Sequence, residues 1–213
     1  MTGETQPSDR ELDAAATAIH DGDAVVYPTE TVYGLGADAT DADAVERVFE
    51  LKGRDPSKPL SLGVPSLDAA LRYTRPSHRA RGFLRGFLPG PVTVVVERDP
   101  SMPDVLTAGR SRVGVRVPDD EVALSLFERA APVPVTATSA NRSGSPSVTH
   151  PDDLDPELRE SVAAVVDAGS RTGTESTVVD PERNVIHRRG AMADAITAWL
   201  ADEAGTEPVV EDG

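Results

Sequence analysis

Apolar residues at Leu12, Ala15, Ala16 and Ile19 recur at helical spacing behind Ser8-Asp9-Arg10-Glu11, which reads as a capping box. The pattern predicts a helix from there to about His20, with Gly22 as its stop. Ala24-Val25-Val26-Tyr27 is a short buried strand ended by Pro28. Ala44, Val45, Val48, Phe49 and Leu51 mark the inward face of a second helix, capped by Asp41 or Asp43 and broken at Gly53. Leu60-Ser61-Leu62-Gly63-Val64 alternates as a strand. Ser66-Leu67-Asp68 starts a short helix, and Pro76 to Phe87 reads as another. Past the rigid turn Pro89-Gly90-Pro91, Val92 to Glu97 is a strand, residues 99–111 a loop, and Val113 to Pro118 a strand. Asp119 opens a helix to about Ala130, and Val133 to Thr138 is a further strand. Ala163 to Asp167, Ser176 to Asp180 and Asn184 to Arg188 follow as strands, and Met192 to Ala201 is the closing helix. About seven strands with helices interspersed, not in strict alternation, predict an α/β fold built on a twisted mixed sheet.

At 213 residues the chain suits a single domain over residues 8–203, with a disordered lead at 1–7 and a frayed tail at 204–213. Aromatic residues make up only 4%, so the core must be mostly Val, Leu and Ala. The absence of cysteine removes disulfides, thiol nucleophiles and cysteine metal sites together. No apolar run approaches the roughly 18 residues of a membrane span, and the N-terminus has no signal-peptide pattern, so the expectation is a soluble cytoplasmic protein with no membrane partner.

A formal net charge of −15 argues against a polyanionic partner until its distribution is examined. Residues 1–51 carry 2 basic and 12 acidic groups, residues 143–213 carry 5 and 15, and residues 52–142 carry 14 and 9. The flanks are acidic and the middle is basic. Abundant Asp and Glu with almost no Lys also fits adaptation to high salt, where a Debye length of about 3 Å at 1 M screens self-repulsion. A melting temperature unchanged by dialysis to low salt would sink that expectation; the alternative is simply an acidic soluble protein.

Of the 21 basic residues only two are lysines, Lys52 and Lys58, and both fall in Lys52-Gly53-Arg54-Asp55-Pro56-Ser57-Lys58-Pro59-Leu60. Compact ammonium charges beside Arg54 point to phosphate or carboxylate binding. A lysine ending a helix also suits the helix dipole, an explanation that covers Lys52 but not Lys58. Arg116 stands in the otherwise apolar run Val113 to Pro118 and must meet an anion or a carboxylate, because a buried unpaired charge is costly. Gly34-Leu35-Gly36 reads as a tight turn or, more weakly, as a phosphate loop. The five arginines between Arg72 and Arg85 make either a solvated face or an anionic contact.

Four loops recur in type: Thr29 to Gly36, Lys52 to Lys58, Ser139 to Ser145, and Ser170 to Thr177. Their hydroxyls, amides and cations suit a polyphosphate. Nucleophilic catalysis fits poorly, since Ser139 has no Gly-x-Ser-x-Gly elbow and His20, His78, His150 and His187 lie in no partner or metal motif.

Six segments in order then resemble the YrdC-like threonylcarbamoyl-adenylate synthases, from about Leu12 to Met192. They are Pro28-Thr29-Glu30-Thr31-Val32-Tyr33-Gly34-Leu35-Gly36, Lys52-Gly53-Arg54 with Pro59-Leu60, Pro89-Gly90-Pro91-Val92-Thr93, Val113 to Pro118, Thr138-Ser139-Ala140-Asn141, and Glu175-Ser176-Thr177-Val178-Val179-Asp180. The resemblance implies a twisted mixed sheet around a wide basic cavity. It also implies a reaction in which L-threonine, bicarbonate and ATP give L-threonylcarbamoyladenylate and pyrophosphate. A downstream threonylcarbamoyl transferase would use the product to modify position 37 of tRNA.

By resemblance, Lys52, Arg54, Ser139 and Asn141 hold the ATP phosphates and the reacting centre, with Lys58, Ser145 and Arg188 also contacting the nucleotide. Thr31, Arg116 and Ser176 recognise threonine, Arg116 through its carboxylate. Magnesium is implied by the polyphosphate rather than by a protein ligand cluster, and tRNA contact through the basic middle segment is a further partner expectation. The chain departs from the family pattern at Gly63, where a His or Asn is frequent, and at Arg188-Arg189-Gly190-Ala191, where Arg-Pro-Gly-Ala is usual. The resemblance is to the single-domain form, so gating by the extra C-terminal domain of longer members is not expected. The competing readings are a non-catalytic double-stranded-RNA or tRNA-binding module and a paralogue handling another carbamate. The Lys-x-Arg and Ser-x-Asn motifs favour the synthase over RNA binding alone.

Overall fold

The computed structural model of the protein describes residues 6–211, so most of the expected lead and the last two residues of the expected tail lie outside the described residues. Helix α1 (Asp9–His20) carries the capping box, the Glu11 carboxylate accepting from the Ser8 N–H at 2.8 Å. Its Leu12, Ala15, Ala16 and Ile19 stripe is buried as the spacing requires. Strand β1 (Val25–Tyr27) is followed by β2 (Gly34–Gly36), antiparallel to it. Gly34-Leu35-Gly36 is therefore neither a turn nor a phosphate loop. A Cβ on Gly34 would lie 2.6 Å from the Tyr27 ring, and one on Gly36 would lie 2.3 Å from Val135 Cγ1. These glycines make room for neighbouring side chains.

Helix α2 (Ala42–Lys52) is capped by Asp41 and stops at Gly53, which takes the left-handed φ of 55°. Strand β3 (Ser61–Gly63), helices α3 (Leu67–Ala70) and α4 (His78–Phe87) and strand β4 (Val92–Glu97) follow the predicted order. The expected loop at 99–111 contains a helical turn, α5 (Asp104–Thr107), which seats Leu106 in the core. Next come β5 (Arg112–Arg116), α6 (Glu121–Ala130) and β6 (Val135–Ser139). A 3-10 turn at Pro151–Asp153 and helix α7 (Pro156–Ser161) fill a stretch to which the sequence pattern assigned no element. The chain continues with β7 (Ala164–Val165), β8 (Thr177–Asp180), β9 (Val185–Arg188), α8 (Ala193–Ala204) and β10 (Val209–Val210). Val209 and Val210 pair in parallel with Val185 and Ile186, so this part of the expected frayed tail is an edge strand. Two consecutive β-branched residues beside an open strand edge account for the difference.

The strands form one mixed sheet in the order β10-β9-β8-β4-β5-β3-β6-β2-β1-β7. Side-chain alternation gives the sheet two different faces. Val92, Val94, Val96 and Val115 pack with Phe83 and Leu84 of α4 and Ile196 and Leu200 of α8, while Leu62 and Val113 join the core under α2 and α5. Helices α1 and α6 cover Val25, Tyr27 and Val135 near the other end of the sheet. Ser61, Thr93 and Gly114, from the opposite phase of β3, β4 and β5, face a cavity instead. Short polar side chains on that phase leave the space a ligand needs. Among the described residues, no helix is long and apolar enough to cross a membrane.

Candidate active site

The cavity has a volume of ≈ 860 Å³, and its lining includes seven arginine or lysine residues against three carboxylates. In a chain of net charge −15, that is a local inversion of sign.

The four hydroxyl- and cation-bearing loops converge on this cavity and are bonded to one another. Lys52, the last residue of α2, donates through Nζ to the Asn141 carbonyl at 2.6 Å and to the Ser139 carbonyl, and the Ser143 N–H returns a bond to the Lys52 carbonyl at 2.8 Å. Ser139 Oγ bonds to Asn141 Oδ1, and Asn141 Nδ2 donates to the Ser145 carbonyl at 2.6 Å, closing the loop. On the other side, the Thr172 hydroxyl and the Gly173 N–H donate to the Glu30 and Thr31 carbonyls at 3.2 and 2.9 Å. Glu175 accepts from Ser147 at 2.5 Å and pairs with Arg188 at 2.9 Å, tying the last two loops together.

Three guanidiniums face the enclosed space, each held from behind. Arg54 donates through Nε and Nη2 to the Lys58 and Pro59 carbonyls at 2.9 and 3.1 Å. Arg188 donates through Nε and Nη2 to the Ser176 carbonyl at 3.1 and 3.0 Å, and through Nη2 to the Ser176 hydroxyl at 3.1 Å. Arg116 donates through Nη2 to Thr31 Oγ1 at 2.7 Å and to Glu30 Oε2 at 3.0 Å. The carboxylate demanded by an arginine in an apolar strand is thus Glu30. Burial, and then the charge of Arg188, work against the ionisation of Arg54; burial and Arg116 do the same to Arg188, opposed by Glu175. Arginine does not deprotonate in proteins, so this charge persists, offset by Glu175 beside Arg188 and by Glu30 beside Arg116.

Lys52 is only 2% exposed and stands behind the cavity wall. Burial, and then the charge of Arg54, push its pKa down to about 8. Because this folded value lies below that of an exposed lysine, the buried charge disfavours the folded state below about pH 8, and that penalty fades as pH rises from there to the ordinary lysine range. A polyphosphate in the cavity favours the charged form. Pyrophosphate affinity is therefore expected to fall as pH rises through 8, with proton uptake on binding just above that pH. Calorimetric titration in two buffers of different ionisation heat measures the uptake; identical heats would show that Lys52 does not sense the ligand.

Of the residues singled out from sequence, Arg54, Lys58, Arg116, Ser139, Ser176 and Arg188 line the cavity. Lys52, Thr31, Asn141 and Ser145 do not. Lys52 and Asn141 brace the Ser139 loop, Ser145 supplies the carbonyl that pins Asn141, and Thr31 sits behind Arg116. The sequence reading missed Glu30 and Glu175 as partners of Arg116 and Arg188. It also missed Arg112 on the cavity wall, which pairs with fully buried Asp180 at 2.8 Å and with Glu182 at 2.6 Å. An acidic residue ending the apolar run Thr177 to Val179 was the available signal.

The Sua5/YciO/YrdC family model, described as telomere recombination, matches residues 17–190. The threonylcarbamoyl-AMP synthase of Pyrococcus abyssi is 40% identical over 168 residues, covering 78% of this chain and 49% of that protein. The threonylcarbamoyl-AMP synthase of Bacillus subtilis is 37% identical over 185 residues, covering 84% of this chain and 52% of that one. The chain thus spans about half the length of these two relatives. The crystal structure of P. abyssi Sua5 complexed with L-threonine superposes with a TM-score of 0.84 at 34% identity, covering 96% of this chain and 60% of that chain.

Proposed function

The chain belongs to the Sua5/YciO/YrdC family, and we propose that it joins L-threonine, bicarbonate and ATP into L-threonylcarbamoyladenylate and pyrophosphate. The observation that carries this reading is the convergence of Arg54, Arg188 and Arg116 on one cavity, where Arg188 and Arg116 each have one carboxylate partner and Arg54 has no ion-pair partner among the described residues. Such an arrangement suits a substrate pair bearing a polyphosphate and a carboxylate.

The threonine amine and bicarbonate give a carbamate with loss of water. A carbamate oxygen then attacks the α-phosphorus of ATP, the bond from that phosphorus to the β-bridging oxygen breaks, and pyrophosphate leaves. This displacement calls for alignment and charge neutralisation more than acid–base chemistry. Arg54 and Lys58 meet the departing pyrophosphate, Ser139 orients a phosphate oxygen, and Arg188 faces the α-phosphate. Arg116 takes the threonine carboxylate, and Ser176, whose hydroxyl accepts from Arg188, lines the same cavity. Lys52, Asn141 and Ser145 act as positioning residues for the Ser139 loop, and Thr31 does so for Arg116. Magnesium belongs to this reading as part of the substrate, riding on the ATP phosphates.

The product is a mixed anhydride, and in this reading a separate transferase places its threonylcarbamoyl group on position 37 of tRNA in the cytoplasm. Contact with tRNA through the basic middle segment draws support from α3 and α4. No carboxylate occurs between Asp68 and Glu97, and Arg72, Arg81 and Arg85 are exposed there without an ion-pair partner among the described residues. RNA retention unaffected by replacing these three arginines with serine would remove that contact. The acidic flanks fit a salt-rich cytoplasm, so activity is best assayed in high salt. The decisive assay measures pyrophosphate release from ATP with threonine and bicarbonate added or withheld. Release dependent on both is expected; equal release with any amino acid would overturn the assignment.

A further inference from the structure

Gly63 lies on the cavity face of β3, in register beside Arg116 of β5 and Val135 of β6. A Cβ there would stand 2.8 Å from Phe127 Cζ, 2.9 Å from Phe127 Cε2 and 3.6 Å from Ala137 Cβ. The edge of the Phe127 ring, projecting from α6, occupies the room that a side chain at position 63 would need. Tyr27 holds the ring edge-to-face, with centroids 5.2 Å apart and planes at 70°. Phe127 is itself 1% exposed and packs among Leu126, Ala130 and Val135, so it has nowhere to retreat. Phe127, Tyr27, Gly63 and Ala137 all line the cavity, forming an apolar cup beside the Arg116 guanidinium.

We propose that Phe127 determines amino-acid specificity: its ring edge over Gly63 closes the cup that receives the side chain of the amino acid whose carboxylate rests on Arg116, limiting that side chain to the size of threonine. The inference rests on the reading of Arg116 as the carboxylate ligand. An apolar cup discriminates by volume, and one methylene too many must displace a ring that Tyr27 and α6 hold in place.

The test compares wild type, Phe127→Leu and Phe127→Ala in pyrophosphate release with L-threonine and with L-isoleucine, recording KM for each amino acid and for ATP. Isoleucine carries an ethyl group where threonine has its hydroxyl, and truncation is expected to raise the isoleucine-to-threonine ratio of kcat/KM by about 10–100-fold, the range for relieving a misfit of even one methylene in a fitted pocket. The KM for ATP should stay unchanged. A second arm uses Gly63→Ala, expected to raise the threonine KM in the wild-type background and to do so less in Phe127→Leu, where the ring edge is gone. Should Phe127→Ala fail to fold, Phe127→Leu carries the same criterion. A wild type that releases pyrophosphate without regard to threonine overturns the Arg116 reading and this inference with it. A threonine-dependent wild type whose substrate ratio is unmoved in the soluble variants overturns this inference alone.

Discussion

Arg54→Ala is expected to slow threonine-dependent pyrophosphate release by about 10²–10³-fold, the effect of deleting one preorganised charge-stabilising donor. The melting temperature should barely move, because the Lys58 and Pro59 carbonyls that Arg54 engages belong to an exposed loop that water can serve. Lys52→Met should abolish activity to a similar degree but lower stability as well. The buried ammonium is the donor to the Ser139 and Asn141 carbonyls, and each buried acceptor left without a partner costs about 1–3 kcal/mol. Loss of the lysine's own desolvation penalty offsets part of that. Kinetics and thermal melts on the two variants separate a group that meets the phosphates from one that holds the wall; equal melting temperatures with equal activity loss would erase the distinction.

Arg116→Ala should raise the threonine KM by about 10²–10³-fold while leaving the ATP KM nearly constant, as expected for removing one side of a desolvated, hydrogen-bonded charge pair. This variant carries a second penalty. Glu30, with its Oε1 buried and unpartnered, would lose the charge beside its other oxygen, and stranding one member of a buried pair costs about 3–5 kcal/mol. Adding Glu30→Gln removes the stranded charge, so the double variant should regain stability without regaining threonine affinity. Recovery of both together would mean that Arg116 serves only the fold.

Much of this architecture was legible in the chain because its signals are local. The Ser8–Glu11 capping box, the Gly53 stop and the alternation at 60–64 each depend on neighbours within a few residues, and each appears where expected. The failures share a different cause. Gly34 to Gly36 becomes a strand because Tyr27 and Val135 need the space above it, and one of those partners lies about a hundred residues away. Val209 and Val210 are ordered by the edge of β9, which nothing in their own segment announces. At the site, charge bias picked out Lys52 but gave no sign of its bonds to the Ser139 and Asn141 carbonyls, which lie nearly ninety residues away. The physics of a buried arginine demanded a carboxylate for Arg116, yet only the folded sheet identifies it as Glu30. The Arg112–Asp180 pair, 68 residues apart on two strands, left almost no trace.

The strand order also bears on how the protein comes to be active. Strands β2 and β3 do not touch; β6, made some seventy residues after β3, inserts between them and pairs with both. Until that insertion Lys52 has no carbonyls to grip, and the Thr29 and Lys52 loops have no common frame. Closure over so long a separation is entropically slow. Catalytic competence should therefore return on refolding only with hydrogen-exchange protection of the β6 amides, after the locally encoded helices have formed. In that sense β6 acts as the clasp of the molecule, and synthesis of most of the chain must precede any turnover.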